Sequence, residues 1–397
     1  MRQLTVLSLT ILLAAAAAAG DWPNFRGPNH DGISTETGLK ADWSAPPKPL
    51  WERQVGDAFS GISIVGDRVY SCGTANKKQV VFCLNAQTGE QVWQTPIEDS
   101  YWEPQGGNGP RSTPTVADGR VYVLGALGRM LCLDAADGKV VWEKKYEPKP
   151  QWGFSGSVLI EGDMAVVSAG GKFGALVAYD RKSGKELWKT GEDPVGYSTP
   201  YPFTFEGERY IVGFTGKSAI IVRAKDGQLA WREPWKTDWD VNAAAPIFHE
   251  GYLYLTSGYD TGSAVFKLSR TGDKLTGEHV WAGGIDKVLL SKFQSSILTG
   301  GYLYASDQRK LACVEFMTGK EIWKEPRIKD GTVVLAEGRL FVLTEGGELI
   351  VTPATKDGFK PATRVQLLEG RCWTVPTIAN GRLHVRNQDT IKCFDLK

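Results

Sequence analysis

The sequence predicts an all-β protein, an eight-bladed β-propeller of four-stranded antiparallel blades closed into a ring. Three observations predict this fold. The turn glycines of a repeated motif recur every 43–49 residues, and in five of its six copies the turn glycine begins the sequence Gly-x-x-x-Trp; a strand–turn–strand pattern precedes each copy, and the two ends of the chain hold complementary parts of one further blade. Repeats of this length each bury too little surface to fold alone, so they indicate units that pack side by side. Seven blades is the alternative count.

The repeated motif explains its own residue types. Its copies begin at residues 83, 132, 178, 221 and 313, and a stretched copy runs from Leu268 through Gly272 to Trp281. Glycine adopts a positive φ without steric cost, and Asp or Asn before it bonds nearby backbone N–H groups. The closing Trp is a large apolar plate suited to packing between neighbouring blades. The predicted structural residues are Gly89, Trp93, Gly138, Trp142, Gly184, Trp188, Gly227, Trp231, Gly319 and Trp323.

The paired strands before each copy complete the predicted blades. Eight such hairpins occur, for example at 112–125 and 245–258, rich in Val, Ile and Tyr and broken by Gly with Asn or Asp. The last unit, 374–397, contains three strands and lacks the fourth, whereas the segment LWERQV at 50–55 is a strand without a hairpin of its own. Pairing these two segments would complete the eighth blade and remove both open sheet edges.

The first 19 residues have the form of a secretory signal peptide. Met1 and Arg2 precede an apolar run over 4–13, and an Ala-rich stretch follows. No other segment approaches about 20 apolar residues, so no membrane span is expected in the mature protein. The predicted organisation is a signal peptide at 1–19, an N-terminal strap at 20–49 and a propeller domain at 50–397. A periplasmic or secreted location is expected.

Composition excludes several classes of function. The 46 Lys and Arg balance 45 Asp and Glu, so no net field attracts nucleic acid, and a monomer without a nucleic-acid partner is expected. Only four His are present, and there is no P-loop, dinucleotide fingerprint or Ser-His-Asp arrangement. No catalytic residues are therefore predicted.

The repeat resembles the tryptophan-bearing repeat of the pyrroloquinoline-quinone (PQQ) type β-propeller family, written Ala-x-Asp-x-x-Thr-Gly-Lys-x-x-Trp. The copy nearest this pattern contains Tyr179, Asp180, Ser183, Gly184, Lys185 and Trp188. The resemblance covers residues 50–397, and the run at 21–34 resembles the strap before many exported bacterial, BamB-like members. The family includes quinoprotein dehydrogenases and non-enzymatic envelope scaffolds, so the resemblance implies the fold but leaves both activities open.

The six cysteines are predicted to be mainly packing residues. Cys83, Cys132, Cys313 and Cys393 occupy the small first position of the motif. A Cys72–Cys83 disulfide across a hairpin is the alternative for that pair, since disulfides are allowed in an exported protein. The chain lacks the adjacent Cys–Cys pair that quinoprotein alcohol dehydrogenases carry against their cofactor.

The connections from each outer strand to the next inner strand carry the candidate ligand-binding residues. In a propeller these connections emerge on one face, around the mouth of the central channel. Flat aromatic rings beside Arg suit a peptide strand, a sugar or a planar quinone, and packing of long loops is the alternative role. The predicted binding face comprises Trp102, Arg111, Trp152, Tyr197, Trp239, Asn242, Lys292, Arg371 and Trp373.

One acidic run supplies the candidate metal ligands. If residues 238–242 are extended, Asp238, Asp240 and Asn242 lie on one side and offer three oxygens to calcium. Such alternations in loops are usually solvated, so no metal site is expected.

Two functions follow. The first is a non-catalytic exported scaffold that binds a protein or glycan partner in the cell envelope and needs no cofactor. The alternative is a PQQ- and calcium-dependent periplasmic alcohol or sugar dehydrogenase, in which Asp240 and Arg111 would act as base and cation only by assumption.

Overall fold

The computed structural model describes residues 20–281 and 283–397, so the predicted signal peptide at 1–19 lies outside the described residues. Within this part of the chain, regular structure consists of 33 β-strands and two single-turn 3-10 helices, Gly171–Phe173 and Asp238–Asp240. The strands form eight separate sheets.

The first six blades are each built from four consecutive antiparallel strands. Two strands precede them, β1 (Ile33–Ser34) and β2 (Trp51–Gln54). Blades I to III contain β3 (Ser63–Val65), β4 (Arg68–Ala75), β5 (Lys78–Asn85), β6 (Gln91–Asp99); β7 (Thr115–Ala117), β8 (Arg120–Leu124), β9 (Arg129–Asp134), β10 (Val140–Lys145); β11 (Leu159–Glu161), β12 (Met164–Val167), β13 (Leu176–Asp180) and β14 (Glu186–Thr190). Blades IV to VI contain β15 (Tyr201–Phe205), β16 (Glu208–Phe214), β17 (Ser218–Arg223), β18 (Leu229–Pro234); β19 (Ile247–His249), β20 (Tyr252–Ser257), β21 (Gly262–Thr271), β22 (Lys274–His279); β23 (Ile297–Thr299), β24 (Tyr302–Ser306), β25 (Leu311–Glu315) and β26 (Glu321–Glu325).

The two ends of the chain close the ring. Blades VII and VIII contain β27 (Thr332–Ala336), β28 (Arg339–Leu343), β29 (Glu348–Pro353), β30 (Thr363–Gln366); β31 (Thr377–Ala379), β32 (Arg382–Arg386) and β33 (Thr390–Asp395). Strand β2 pairs antiparallel with β33, with Trp51 opposite Cys393, and supplies the fourth strand of blade VIII. The prediction of eight four-stranded blades closed by an N-terminal strand is confirmed, and the count of seven is wrong.

The repeated Gly and Trp form the contacts between neighbouring blades. The Trp188 indole N–H in blade III donates to the Ala224 carbonyl of blade IV at 3.0 Å. A Cβ atom on Gly227 would lie 2.5 Å from the Trp188 ring, so only glycine fits at this turn. Equivalent ring-to-glycine contacts join Trp51 with Gly89, Trp93 with Gly138, Trp142 with Gly184, and Trp281 with Gly319.

Three seams depart from this pattern, one of them between blades VII and VIII, where strand β30 contains no Trp. The stretched copy in blade V places Gly277, rather than Gly272, against Trp231 of blade IV. Blade VII lacks the motif, and there the Trp323 indole donates to the Thr355 carbonyl at 2.8 Å. Buried apolar clusters combine residues of adjacent blades, so the hydrophobic core lies mainly between sheets.

The six cysteines are buried free thiols, as expected for packing residues. In the β4–β5 ladder Cys72 lies opposite Val81, and Cys83 lies opposite Tyr70. This register offsets the two cysteines by two positions, so the alternative Cys72–Cys83 disulfide is not formed. Burial raises the pKa of both thiols to about 12, so they are neutral at physiological pH.

Candidate functional site

The central channel contains a cavity of about 610 Å³. Its wall includes residues at or just before the first strand of several blades, among them Ile62, Thr113, Ser157, Thr199 and Thr377. Its mouth is formed by the connections from outer strands to the next inner strands. A cavity of this size lies within the range of about 300–1,000 Å³ that is typical of small-molecule pockets.

The N-terminal strap forms the floor of the cavity, at the end opposite the connecting loops. The backbone N–H of Trp22 donates to the Ile64 carbonyl at 2.7 Å, and the Ile64 N–H donates back at 2.8 Å. Strand β1 adds in parallel to β27, the first strand of blade VII. Trp22, Phe25 and Arg26 line the cavity from this side.

Arg26 ties the strap across the ring. Its Nη2 atom donates to the Asp31 carbonyl at 2.6 Å within the strap and to the Ser296 carbonyl at 2.7 Å beside blade VI. Burial lowers the pKa of Arg26 to about 10, so the side chain keeps its charge at neutral pH.

One side of the mouth is an aromatic cluster of Trp152, Tyr197 and Trp239. The ring centroids of Trp152 and Tyr197 lie 6.1 Å apart, and those of Trp152 and Trp239 lie 6.1 Å apart at an interplanar angle of 81°. The Trp152 backbone N–H donates to the Tyr197 hydroxyl at 3.4 Å. Burial raises the pKa of Tyr197 to about 12, so its phenol is neutral.

A second aromatic cluster surrounds Trp373. The Trp373 ring centroid lies 4.9 Å from those of both Phe59 and Phe293. The guanidinium of Arg371 lies 4.5 Å from the Trp373 ring centroid, a cation–π distance. The Trp373 indole N–H donates to a Glu345 carboxylate oxygen at 2.9 Å, which orients the ring.

Arg111 and Arg371 flank one loop residue, Gly107, between the two clusters. Nη2 of Arg111 donates to the Gly107 carbonyl at 2.7 Å and to the Gly106 carbonyl at 3.2 Å. A Cβ atom on Gly107 would lie 2.5 Å from the Phe59 ring and 3.7 Å from Nη1 of Arg371. Glycine therefore lets this loop approach both guanidinium groups.

The lining of the cavity is cationic. Four basic residues line it, and no Asp or Glu is among the described lining residues; the four are Arg26, Arg111, Lys292 and Arg371. Behind the lining, Nζ of Lys292 lies 3.5 Å from Asp330, which also accepts a hydrogen bond from Gln294 at 3.1 Å. Burial raises the pKa of Asp330, and Lys292 partly opposes that shift.

The structure brings most of the predicted binding face together around this cavity. Seven of the nine predicted residues line it: Arg111, Trp152, Tyr197, Trp239, Lys292, Arg371 and Trp373. Trp102 lies outside the lining and is 70% exposed. Asn242 is fully buried; it donates to the Thr215 carbonyl and accepts from the Ser257 hydroxyl, each at 2.7 Å, so it holds loops together.

The candidate metal ligands are not arranged as the extended run predicted. Asp238–Asp240 form a 3-10 turn in which Trp239 has a φ of 66° and Asp240 a φ of 59°. The prediction of an extended run is wrong, because this turn points successive side chains in different directions and Asn242 bonds inside the protein. Among the described residues, no group of three or more His, Cys, Asp or Glu is arranged to hold a metal ion.

Several lining residues were missed from the sequence. Phe59 and Phe293 lie in connections from an outer strand to the next inner strand, as Trp373 does. Their position in the sequence could therefore have predicted that they line the cavity. No sequence signal showed that Trp22, Phe25 and Arg26 would reach the channel, because the path of the strap depends on the closed ring. The described residues also contain no helix of the length and hydropathy that a membrane crossing requires.

Comparison with known proteins identifies the family. Residues 77–325 match the family model described as outer membrane protein assembly factor BamB. The chain belongs to this BamB family of PQQ-like propellers. It is 23% identical over 351 residues to outer membrane protein assembly factor BamB of Burkholderia pseudomallei, covering 86% of this chain and 85% of that protein.

The relatives of this BamB family member also include a protein named as an enzyme. Tetrathionate hydrolase of Acidithiobacillus ferrooxidans is 23% identical over 328 residues, covering 76% of this chain but only 61% of that protein. Among solved structures, BamB of Moraxella catarrhalis matches with a TM-score of 0.63 at 16% identity, over 88% of this chain and 99% of that one. Quinohemoprotein alcohol dehydrogenase ADHIIG of Pseudomonas putida HK5 matches with a TM-score of 0.69 at 13% identity, over 95% and 80%. At these identities the structural likenesses show the fold alone.

Proposed function

We propose that the protein is an exported, non-catalytic propeller scaffold of the cell envelope, periplasmic or secreted, that binds a protein or glycan partner at the cavity mouth. The observation that carries the proposal is the lining itself, a cavity with two aromatic clusters and four basic residues. Such a surface binds a ligand through packing and charge. Membership of the BamB family supports an assembly role in the envelope.

The absence of His, Cys, Asp and Glu from the described lining residues supports a binding role. General acid–base catalysis needs a His, Asp, Glu or similar group within hydrogen-bond reach of the reacting atom. Among the described residues that line the cavity, none is His, Cys, Asp or Glu, and the buried Tyr197 has a raised pKa. Of the other lining groups that can transfer protons, Tyr259 has a pKa raised by burial and Lys292 is paired with Asp330, so the cavity is better suited to binding a ligand than to moving protons.

The residues of the cavity do not fit the PQQ and calcium of the alternative. Calcium requires several oxygen ligands, and among the described residues no group of three or more His, Cys, Asp or Glu is arranged to hold a metal ion. The six cysteines are separate thiols, so the pair that would pack on the quinone is missing.

Site-specific photo-crosslinking tests the proposed binding face. A photoreactive amino acid at Trp102 or Trp239, both more than 60% exposed at the mouth, should crosslink to a defined envelope component in cells that export the protein. The same group at Leu187, 48% exposed on an outer strand, is the control. Trp152→Ala should reduce the mouth crosslink, and identical products from mouth and outer strand would contradict the proposal.

Fluorescence titration tests the alternative independently. The dehydrogenase predicts saturable, calcium-dependent quenching of Trp emission by PQQ at micromolar concentration, because Trp152, Trp239 and Trp373 surround the cavity. We expect no such quenching. Saturable quenching that requires calcium would overturn the scaffold and justify assays with alcohols and sugars.

A further inference from the structure

We propose that Arg111 and Arg371 form an anion site at the cavity mouth, and that this site takes the carboxylates of an acidic peptide segment whose apolar side chains enter the cavity. This inference rests on the proposed function and narrows its partner to a protein that carries such a segment. The geometric basis is that both guanidinium groups lie beside Gly107. Arg111 donates to the Gly107 carbonyl, and Nη1 of Arg371 lies 3.7 Å from the point that a Cβ atom on Gly107 would occupy.

Neither guanidinium is neutralised by an ion pair within the described part of the chain. Arg111 donates to the backbone carbonyls of Gly106, Gly107 and Gly109, and Arg371 lies on the face of Trp373. Several arginines on the outside of the propeller are instead paired with carboxylates, as in Arg129–Glu143, Arg209–Glu161 and Arg364–Glu348. Two adjacent, unpaired positive charges repel each other, and a bound carboxylate relieves that repulsion.

The carboxylates nearest the mouth are already engaged by other donors. Glu103 accepts hydrogen bonds from the backbone N–H groups of Gln105, at 3.0 Å, and Gly106. Glu345 accepts the Trp373 indole N–H at 2.9 Å. None of the described lining residues is acidic, and Lys292 is paired with Asp330, so Arg111 and Arg371 are the cations at the mouth that have no ion pair within the described residues.

The deeper cavity suits apolar side chains. Phe25 and Trp22 line its floor, and Ile62 and Val375 line its wall. A short peptide with alternating acidic and aromatic residues would meet the arginines at the mouth and bury its rings below them. The floor thus offers two aromatic rings beside the guanidinium of Arg26, which already donates to the Asp31 and Ser296 carbonyls, whereas Arg111 and Arg371 lie where the connecting loops reach the cavity.

The arrangement of the rings favours a peptide over an acidic sugar. A pyranose stacks on an open indole face. Trp373 is instead packed by Phe59 and Phe293 and covered by Arg371, and Trp152 contacts both Tyr197 and Trp239. Trp239, which is 64% exposed, is the lining indole most open to a sugar, and for that reason an acidic sugar is one of the probes of the test below.

The test uses two matched peptides and isothermal titration calorimetry at low salt. The probes are the pentapeptides Glu-Phe-Glu-Phe-Glu and Gln-Phe-Gln-Phe-Gln with blocked termini, which differ only in charge. We expect the acidic probe to bind the whole mature protein about tenfold more tightly, or better, and its affinity to fall as salt rises. Equal affinity for the two probes would overturn the anion site.

Arg371→Gln is the decisive variant, because Arg371 is exposed and its removal should leave the fold intact. The variant should lose about tenfold in affinity for the acidic probe and little for the amide probe. Arg53→Gln, the same change on the outer strand β2, is the control and should bind like the parent protein. Arg111→Gln is measured beside them, with its folding checked by circular dichroism because it bonds loop carbonyls.

The remaining outcomes separate this inference from the proposed function. Unchanged affinity of the Arg371→Gln protein for the acidic probe would overturn the anion site. Tighter binding of tetragalacturonate than of the acidic peptide, with the same dependence on Arg371, would overturn the peptide as its ligand. If mouth crosslinking to the envelope partner persists unchanged in Arg371→Gln, the scaffold stands and the anion site fails. If the crosslink is lost in Trp152→Ala but kept in Arg371→Gln, the cavity mouth binds the partner without the arginine. That result would support the scaffold and overturn the anion site.

Discussion

The protein uses tryptophan in two different settings, and the contrast separates its scaffold from its binding surface. Trp188 lies on an outer strand, donates its indole N–H to the next blade and packs against Gly227. Trp152 lies in a connection at the cavity mouth, where its neighbours are the rings of Tyr197 and Trp239. The neighbours of each tryptophan decide its role. A tryptophan that packs on the glycine turn of the next blade joins two blades, and one that lies among the connecting loops lines the cavity.

The largest expected effect comes from removing a seam tryptophan. Trp188→Ala should lower the free energy of unfolding by roughly 3–5 kcal/mol, the usual cost of truncating a large buried aromatic residue. Equilibrium denaturation in urea measures the change. Leu187→Ala is the matched control, since its side chain is 48% exposed, and it should change stability by less than about 0.5 kcal/mol. Equal changes in the free energy of unfolding for the two variants would show that the contact of Trp188 with the next blade does not stabilise the protein.

A pair of glycine variants isolates the ring contact from backbone strain. Gly227 and Gly207 have φ values of 70° and 75°, but a Cβ atom meets the Trp188 ring at Gly227 and nothing within 4 Å at Gly207. Gly207→Ala should cost about 1–2 kcal/mol through its left-handed backbone. Gly227→Ala should cost roughly 1–3 kcal/mol more, because the methyl group also overpacks the seam. Similar melting curves for the two variants would show that the Trp188 ring does not pack closely against Gly227.

Blade VIII, which closes the ring, contains a buried histidine, and this residue makes the stability of the protein depend on pH. His384 lies 5.6 Å from the Trp51 ring centroid, where other blades place Tyr70 or Tyr122 against a Trp. Its ring nitrogens lack hydrogen-bond partners in the described structure. Burial lowers the pKa of His384 to about 3, with Arg382 adding to the shift, so the folded protein resists protonation that the unfolded chain accepts.

His384→Tyr should therefore flatten the acid dependence of stability. Between about pH 6.5 and pH 3 the unfolded state binds a proton that the folded state does not, so stability falls as pH falls, by up to about 1.4 kcal/mol per pH unit from this site. Unfolding measured in urea at pH 7 and pH 4.5 should show a smaller loss in the variant than in the parent protein. His249→Gln, at an exposed position, is the control. An unchanged pH dependence in His384→Tyr would show that His384 is not buried as a neutral ring.

The smallest expected effect on stability belongs to the mouth tryptophans. Trp152→Ala and Trp373→Ala should move the melting temperature by only a few degrees while weakening binding of the acidic pentapeptide. Differential scanning calorimetry and titration of the same samples measure both quantities. Destabilisation as large as that of Trp188→Ala would place these residues in the core and remove them from the binding site.

How far the sequence predicted the molecule differs between these regions. Most of the blades follow from local chemistry, because each turn glycine and closing Trp signals its own strand pair and the same signal recurs every 43–49 residues. The closing pair of β2 and β33 was also predictable, since a lone strand and a three-stranded unit each leave an open edge. The binding face was predicted only as a set of residues on the connections between blades. Two of these residues, Trp102 and Asn242, do not line the cavity.

What the sequence by itself determined is the repeat, the blade and its closure, because these depend on residues near one another in the chain and on the need to cover sheet edges and apolar faces. Only the tertiary structure decided which loop side chains meet. Gly107 is brought between Arg111 and Arg371, which are 260 residues apart in the chain, and Arg26 bonds Ser296 across the floor. The physical reason is that a closed ring brings distant connections to one axis, and no local pattern records which of them share it.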